Sequence, residues 1–304
     1  MAPNLNGKTA IVTGATSGLG FETALGLARD GAAVIIAARN PEKARQTMAV
    51  IQREVPGSTV RFEHLELGSL DSVQQFADAV GAAHPKLDIL VNNGALMGLP
   101  RREMTQDGFE RQIGVNYLAH FALTGHLLPA LNAAGGRVVS VASLAHRRAA
   151  LGLEDFQSER DYEPMAAYAR SKLAMLVFAL ELQRRAERNG WNVRSVAAHP
   201  GWARTSIIPN GMGRGPLQRV IEIGFNTVAQ SARDGARPIL LAATSPEARG
   251  GAYYGPTGWG ETRGTPGPAH IFPQAADPAA GRALWALSEK LTGVTYPGDG
   301  TRAD

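Results

Sequence analysis

Near its N-terminus the chain reads Thr13-Gly14-Ala15-Thr16-Ser17-Gly18-Leu19-Gly20. This stretch joins the β-branched run Thr9 to Thr13 to the amphipathic segment Gly18 to Asp30, which predicts a turn between a strand and a helix. Glycines let the backbone turn sharply and approach a ligand, and free amides at a helix start favour a pyrophosphate. The glycine spacing i, i+4, i+6 differs from the better-known dinucleotide fingerprint, so a turn without a ligand is the alternative. In this context we interpret the stretch as a phosphate-binding turn.

Beyond this turn, short apolar runs alternate with longer amphipathic segments, which predicts repeated β-α units and a parallel sheet covered on both faces. About seven strands are expected, at Thr9 to Thr13, Ala33 to Ala38, Thr59 to Leu65, Leu87 to Val91, Arg137 to Val141, Asn192 to Ala198 and Ala252 to Tyr254. Helices are expected at Gly18 to Asp30, Pro41 to Glu54, Leu70 to Ala83, Phe109 to Ala133, Met165 to Asn189, Ala232 to Thr244 and Pro278 to Leu291. Because the alternation has no linker, the sequence predicts one doubly wound, Rossmann-type α/β domain over residues 1–304.

Two segments interrupt this alternation. Residues 202–230 combine glycines and prolines with apolar side chains, which predicts a mobile lid after a strand end. Residues 256–304 form a C-terminal extension, in which an irregular glycine-rich loop precedes the last helix.

Composition and charge exclude several classes of protein. The chain has 304 residues, of which 44% are hydrophobic and 19% charged, and this mixture excludes a disordered chain. It has no cysteine, which excludes disulfides, thiol nucleophiles and thiolate metal sites. The net charge is +4 and the pI about 9.6. The basic residues occur only as dispersed pairs, which we interpret as solvated surface rather than a nucleic-acid site: Arg101-Arg102, Arg147-Arg148 and Arg184-Arg185.

The sequence also predicts neither a membrane segment nor a metal site. No apolar run in the first fifty residues approaches the roughly 20 residues that a spanning helix needs, and no basic segment leads into an apolar block. We therefore expect a cytoplasmic protein without a membrane partner. The seven histidines show no paired metal-ligand spacing, so no metal is expected.

The residues after the second predicted strand indicate which dinucleotide would bind. In doubly wound folds an acidic side chain at this place accepts from the ribose hydroxyls, whereas an arginine accommodates a 2′-phosphate. Here the places hold Ala38 and Arg39, which predicts NADP(H) rather than NAD(H). The alternative is that Arg39 is a surface residue that pairs with a nearby acid.

A second motif, Tyr168-Ala169-Arg170-Ser171-Lys172, places a tyrosine and a lysine four residues apart on a predicted helix, hence on one face. A phenol ionises near pH 10, and a neighbouring ammonium favours the phenolate, which helps it to exchange a proton with a substrate oxygen. The pair alone is common on helix surfaces, so its partners decide the interpretation.

With those partners the chain resembles the short-chain dehydrogenases/reductases, roughly from Lys8 to Tyr254. The matching features follow the family's order and spacing: the glycine turn, Asn92-Asn93, Asn116, Ser143, Tyr168, Lys172 and Pro200-Gly201. Within the family, Ser143-Leu144-Ala145-His146 and His199-Pro200-Gly201 most resemble the retinol dehydrogenases and the related WW-domain-containing oxidoreductases.

The resemblance implies a role for each matching residue. Tyr168 would donate or accept the proton, and Ser143 would bond the substrate carbonyl. Lys172 would lower the pKa of Tyr168 and hold the nicotinamide ribose, Asn116 would hold a water in a proton relay, and Thr205 would contact the carboxamide. The implied cofactor-binding set is Gly14, Thr16, Ser17, Gly18, Leu19, Gly20, Arg39, Glu66, Leu67, Asn92, Asn93, Gly94, Tyr168, Lys172, Pro200, Gly201 and Thr205. Each of the polar residues could alternatively have a purely structural role.

The chain departs from the family pattern at two places. It has Asn92-Asn93-Gly94-Ala95 where the family usually has Asn-Asn-Ala-Gly, so the backbone beside the adenosine ribose could follow another path. Glu66-Leu67 replaces an aspartate-leucine pair, which puts the adenine contact in doubt.

The expected function is therefore NADPH-dependent reduction of a ketone or aldehyde, reversible as alcohol oxidation. The alternatives are a relative of protochlorophyllide reductase, or a regulatory protein that senses NADP(H) without turnover. An apolar small-molecule substrate is expected, with no nucleic-acid partner, and a homo-oligomer is allowed. Apolar residues after strand ends and in the predicted lid could line its pocket: Met97, Leu99, Leu144, Leu151, Trp202, Ile207, Ile208, Met212, Leu217, Ile221 and Phe225.

Overall fold

Eight strands form one sheet in the computed structural model, which describes residues 3–203 and 230–298. They are β1 (Thr9–Thr13), β2 (Ala33–Ala38), β3 (Val60–His64), β4 (Ile89–Asn92), β5 (Arg137–Val141), β6 (Arg194–Ala198), β7 (Tyr253–Pro256) and β8 (Pro266–Pro268). Their order is β3-β2-β1-β4-β5-β6-β7-β8, and every neighbouring pair is parallel except β7 and β8. The doubly wound α/β sheet predicted from the sequence is confirmed, and the predicted parallel pairing holds for every pair except β7 and β8. The count of seven strands was too low by β8, whose proline-rich sequence is typical of a loop.

Helices cover both faces of the sheet. They are α1 (Gly18–Arg29), α2 (Pro41–Glu54), α3 (Leu70–Ala83), α4 (Arg111–Ile113), α5 (Ala119–Ala134), α6 (Pro164–Asn189), α7 (Ala232–Thr244), α8 (Pro273–Ala276) and α9 (Pro278–Thr292). The single helix expected over Phe109 to Ala133 is wrong in detail, because a π-helical turn, Gly114–Leu118, separates α4 from α5. Other boundaries differ from expectation by only one or two residues, as is usual for helix and strand ends.

Alternation along the strands explains the two layers. On β1, Ile11 faces one buried cluster with Phe76 of α3 and Phe178 of α6. Its neighbour Val12 faces the other cluster with Leu27 of α1, because successive strand residues point to opposite faces. A parallel sheet buried on both faces needs such continuous apolar strands.

The C-terminal helix α9 closes the first of these clusters. Trp285 of α9 stacks on Phe178 with ring centroids 5.8 Å apart, and the guanidinium of Arg185 lies 4.2 Å from the Trp285 ring centre. Arg184 and Arg185 both pair with the buried Glu181. The interpretation of this basic pair as solvated surface is therefore wrong for Arg185, which belongs to the interior.

The strand order places the glycine-rich turn at the centre of one sheet edge. The chain leaves β1 between its neighbours β2 and β4, and ligands of open α/β sheets bind at such a point, outside the carboxyl ends of the strands. Among the described residues, no helix has the length and apolar character needed to cross a membrane.

Candidate active site

A cleft of about 1100 Å³ lies at the carboxyl edge of the sheet. It is lined by most of the residues that the sequence analysis singled out: Gly14, Thr16, Ser17, Gly18, Leu19, Gly20, Arg39, Glu66, Leu67, Asn93, Gly94, Ser143, Tyr168, Lys172, Pro200 and Gly201. Asn92 and Asn116 are buried and do not line it. Thr205 lies outside the described residues, as do residues 204–229 of the predicted lid.

The glycine-rich turn packs tightly against the segment after β4. Gly14 has φ +65°, and a Cβ there would lie 2.8 Å from the Gly94 Cα atom. A Cβ on Gly94 would lie 2.6 Å from Leu67 Cδ1. Glycine at position 94 therefore suits the present position of the Leu67 side chain, which would have to shift to admit a Cβ.

The hydroxyl of Thr13, at the end of β1, holds these two segments together. Its Oγ1 accepts the backbone amides of Asn93 at 2.9 Å and Gly94 at 2.8 Å, and it lies 2.9 Å from Nε2 of His120. Nδ1 of His120 lies 3.0 Å from the carbonyl oxygen of Asn116. Burial lowers the pKa of His120 to about 4, so the ring is neutral. This network assigns the ring proton to Nδ1, which donates to Asn116, while the Thr13 hydroxyl donates to Nε2.

His120 was not predicted as a site residue, only as one of the histidines without metal-ligand spacing. Its link to Thr13 spans 107 residues, so no local pattern could have revealed it.

The side chains of Asn92 and Asn116 are engaged in holding the scaffold. Asn92 donates to the Thr124 hydroxyl at 3.0 Å. The side-chain oxygen of Asn116 accepts the backbone amide of Leu96 at 2.7 Å. Its side-chain nitrogen donates to the Leu96 carbonyl at 2.8 Å and to the Ser171 hydroxyl at 2.9 Å. The Asn116 carbonyl lies in the π-helical turn, a feature that is frequent at functional sites.

Tyr168 and Lys172 lie one turn apart on α6, both buried and both lining the cleft. Lys172 Nζ donates to the carbonyl of Val141 at 2.9 Å, and burial lowers the pKa of Lys172 to about 8. Burial raises the pKa of Tyr168 above its ordinary value, and a hydrogen bond with Ser143 opposes part of that rise. The resemblance implied that Lys172 lowers the Tyr168 pKa, but the net shift is upward because desolvation is its largest cause.

The far end of the cleft carries residues that could face an adenosine ribose. Arg39 is 62% exposed at its side chain and lies 3.8 Å from the Glu66 carboxylate. The same carboxylate accepts the amide of Gly68 at 2.8 Å. Asn40 and Lys43 also line the cleft here, and sequence reasoning missed both. Because the Arg39–Glu66 pair is exposed and long, it leaves Arg39 able to bind an anion.

The charge of the cleft fits a phosphate-rich ligand. Among the described lining residues Glu66 is the one carboxylate, against six cations: Arg39, Lys43, Arg111, Arg147, Arg148 and Lys172. Combined with a glycine turn that opens a helix N-terminus, this arrangement suits a dinucleotide with its phosphates over the turn. Residues 3–203 and 230–298 contain no cluster of side chains that could hold a metal ion.

Comparisons with known proteins agree with this geometry. Residues 8–211 match the model of the short chain dehydrogenase family. The chain is 39% identical over 301 residues to polyprenol dehydrogenase of Mus musculus, covering 96% of this chain and 86% of that protein. It is 37% identical to retinol dehydrogenase 13 of Homo sapiens, again covering 96% and 86%.

Two solved structures are similar as well. An uncharacterised protein from Mycobacterium paratuberculosis superimposes with a TM-score of 0.80 at 38% identity, covering 97% of each chain. An Escherichia coli CFT073 protein complexed with NADPH has a TM-score of 0.65 at 26% identity, covering 83% of this chain and 98% of that one.

Proposed function

The chain belongs to the short chain dehydrogenase family, and from this premise we propose that it is an NADP(H)-dependent oxidoreductase that reduces a ketone or aldehyde and, in reverse, oxidises the alcohol. The main support for this proposal is that one cleft, beside the glycine turn, is lined by Ser143, Tyr168 and Lys172. Ser143 follows β5 and caps the 3₁₀ turn Leu144–Arg148, whereas Tyr168 and Lys172 lie on α6. The cleft is large enough for a cofactor and a substrate together.

The proposed chemistry divides among three side chains. A nicotinamide cofactor, when bound over the glycine turn, would supply or accept the hydride. The Tyr168 phenol gives its proton to the substrate oxygen, and its raised pKa keeps that proton available at neutral pH. The Ser143 hydroxyl, which lines the same cleft as Tyr168, orients the same oxygen. Lys172, held by the Val141 carbonyl, would bind the nicotinamide ribose.

Asn116 enters the proposal through its backbone rather than its side chain. The side-chain amide of Asn116 is already bonded to Leu96 and Ser171. The backbone carbonyl oxygen of Asn116 has two lone pairs, of which the bond from His120 uses one. We therefore assign any water-holding role of Asn116 to that carbonyl.

The substrate is proposed to be bulky and apolar. Apolar side chains line the cleft beyond Ser143: Met97, Leu99, Met104, Leu144, Met165 and Trp202. Leu151, which the sequence analysis placed in the pocket, instead packs in the core. The other predicted pocket residues lie outside the described residues: Ile207, Ile208, Met212, Leu217, Ile221 and Phe225.

Four further points stay predictions. They are a cytoplasmic location, the lack of nucleic-acid and membrane partners, a homo-oligomer, and one domain over residues 1–304.

The direct experiment is a panel of ketones, aldehydes and alcohols, run with NADPH or NADP⁺ and with NADH or NAD⁺ and followed by nicotinamide absorbance. Turnover of a carbonyl with NADPH supports the proposal. Tight NADPH binding without turnover of any member of the panel would favour the sensor interpretation instead.

Cofactor choice gives a first prediction. We expect Arg39→Ala to weaken NADPH binding about 10- to 100-fold, because charge-assisted bonds to the 2′-phosphate are lost, and to leave NADH binding nearly unchanged. Lys43→Ala should act in the same direction. Dissociation constants from fluorescence titration measure both effects. Arg29→Ala is the matched control, since Arg29 also makes an exposed ion pair, 3.3 Å from Glu54, and lies outside the cleft. Equal affinity of the unmodified protein for NADH and NADPH would contradict the proposed preference.

A further inference from the structure

The hairpin of β7 and β8 has a loop, residues 257–265, that reaches the rim of the cleft. Its residues Trp259–Glu261 form a 3₁₀ turn, and Gly260 and Thr262 line the cleft. The hairpin lies beyond residues 8–211, the part that the family model matches. Glu261 has φ +59°, a left-handed conformation that side chains other than glycine rarely adopt. Such a conformation persists only where the surroundings hold it, and the contacts of the Glu261 carboxylate are part of those surroundings.

The carboxylate receives donors from three separate segments. Its Oε2 lies 2.7 Å from Nη2 of Arg147 and 3.0 Å from Nε2 of His199, and its Oε1 accepts the backbone amide of His270 at 2.9 Å. Arg147 also donates to the Gly260 carbonyl at 3.0 Å. Burial alone raises the pKa of Glu261, but these bonds and charges outweigh it and bring the pKa to about 2. Glu261 is therefore a carboxylate at any physiological pH.

The first donor belongs to the turn that carries the proposed substrate-binding serine. Ser143 caps the 3₁₀ turn Leu144–Arg148, with its hydroxyl 3.3 Å from the Ala145 amide. Arg147 lies in that turn, so its pairing with Glu261 sets where the turn can lie. Gln274 from α8 donates to the Arg147 carbonyl at 3.1 Å and so provides a further contact to the same turn.

The second donor belongs to the turn that follows β6. His199 precedes Pro200-Gly201, and its Nδ1 accepts the Gly201 amide at 3.1 Å. That bond places the ring proton on Nε2, which faces Glu261. The ring has almost no freedom, since a Cβ on Gly255 of β7 would lie 1.9 Å from its Nε2. One carboxylate thus contacts both turns, the serine turn (Ser143 with Leu144–Arg148) and the Pro200-Gly201 turn.

We propose that Glu261 is a positioning residue, which acts through Arg147 and His199 to set the serine turn against the Pro200-Gly201 turn. Resting on the function proposed above, this inference assigns to Glu261 the alignment of the substrate carbonyl with the cofactor. Glu261 itself transfers no proton and touches no reacting atom. Misplacement of about 1 Å in such a site lowers the rate by as much as about 100-fold, so a group outside the chemistry can control it.

The test begins with Glu261→Gln, which keeps the shape of the side chain and removes its charge. We expect kcat with saturating NADPH and carbonyl substrate to fall about 10- to 100-fold, while the NADPH dissociation constant changes less than about 3-fold. Glu54→Gln is the matched control, because Glu54 also pairs with an arginine but lies away from the cleft. Arg147→Met tests the same link from the other side, and is also the variant to use if Glu261→Gln does not fold. The double variant should lose little more activity than either single one, since both remove the same link.

Hydrogen exchange gives a readout that does not depend on turnover. In Glu261→Gln, peptides over residues 143–148 and 199–201 should both exchange faster than in the unmodified protein. Faster exchange confined to residues 257–270, with an unchanged kcat per folded molecule, would overturn the inference and leave Glu261 a local structural residue. An unmodified protein that turns over no substrate of the panel would refute the proposed function, whereas the exchange of the two turns would still decide whether Glu261 couples them.

Discussion

Replacing Tyr168 by phenylalanine is expected to lower kcat about 10²- to 10⁴-fold, the usual effect of removing a general acid. The variant lacks only the hydroxyl, so the ring still fills its buried place on α6 beside Lys172. We therefore expect the dissociation constant for NADPH and the thermal midpoint to stay close to those of the unmodified protein. Steady-state kinetics with a carbonyl substrate from the panel, together with fluorescence titration of NADPH, measures both parts of the prediction.

The control for this variant is Tyr254→Phe. Tyr254 is another buried tyrosine, but its hydroxyl accepts the Arg249 amide at 3.2 Å and does not line the cleft. Its loss should leave kcat nearly unchanged. If Tyr168→Phe kept more than a few percent of the activity, another group would have to supply the proton.

The second large effect concerns the free energy of unfolding. Trp285→Ala is expected to destabilise the protein by about 3–5 kcal/mol, the range measured for large aromatic residues truncated in a core. Trp285 is 1% exposed. It contacts Phe121, Phe178 and Tyr296 at centroid distances of 5.1, 5.8 and 4.5 Å, and it also lies beneath the Arg185 guanidinium. The truncation therefore leaves a cavity between α9 and the helices α5 and α6, and removes a cation–π contact.

Urea-induced unfolding, followed by circular dichroism, measures this loss. Trp259→Ala is the matched control, because Trp259 is 87% exposed and its truncation should change the free energy of unfolding by less than about 0.5 kcal/mol. If Trp285→Ala does not fold, Trp285→Phe offers a smaller truncation with an intermediate loss. A loss below about 1 kcal/mol for Trp285→Ala would mean that α9 does not help to hold the core together.

The sequence predicts what depends on local pattern. Alternating β-branched runs and amphipathic segments predict the parallel sheet, and the glycine turn with Tyr168 and Lys172 predicts the cleft, because strand order and helix periodicity then bring these residues to one edge. The π-helical turn Gly114–Leu118 was missed, because its side chains follow an ordinary helical pattern. Strand β8 was missed for the opposite reason, because its two prolines suppress any strand signal.

Long-range contacts explain the remaining gaps. Asn116 was predicted as a site residue, but its side-chain partner Ser171 lies 55 residues away, and only the fold shows that the amide is occupied. Glu261 meets His199 and Arg147 across 62 and 114 residues, so nothing near it in the sequence indicates its role. The pKa of Tyr168 depends on burial, which sequence spacing does not measure.

The two edges of the sheet bear on how copies of the protein behave toward one another. An unprotected edge strand offers its unpaired amides and carbonyls as a template on which another chain can add a strand. At one edge, β8 contains Pro266 and Pro268, whose nitrogens carry no hydrogen to donate. At the other edge, β3 carries Arg61 and Glu63, and charged side chains oppose edge-to-edge pairing. Both ends of the sheet are thus capped against further growth, which protects the folded protein from strand-by-strand aggregation at high concentration.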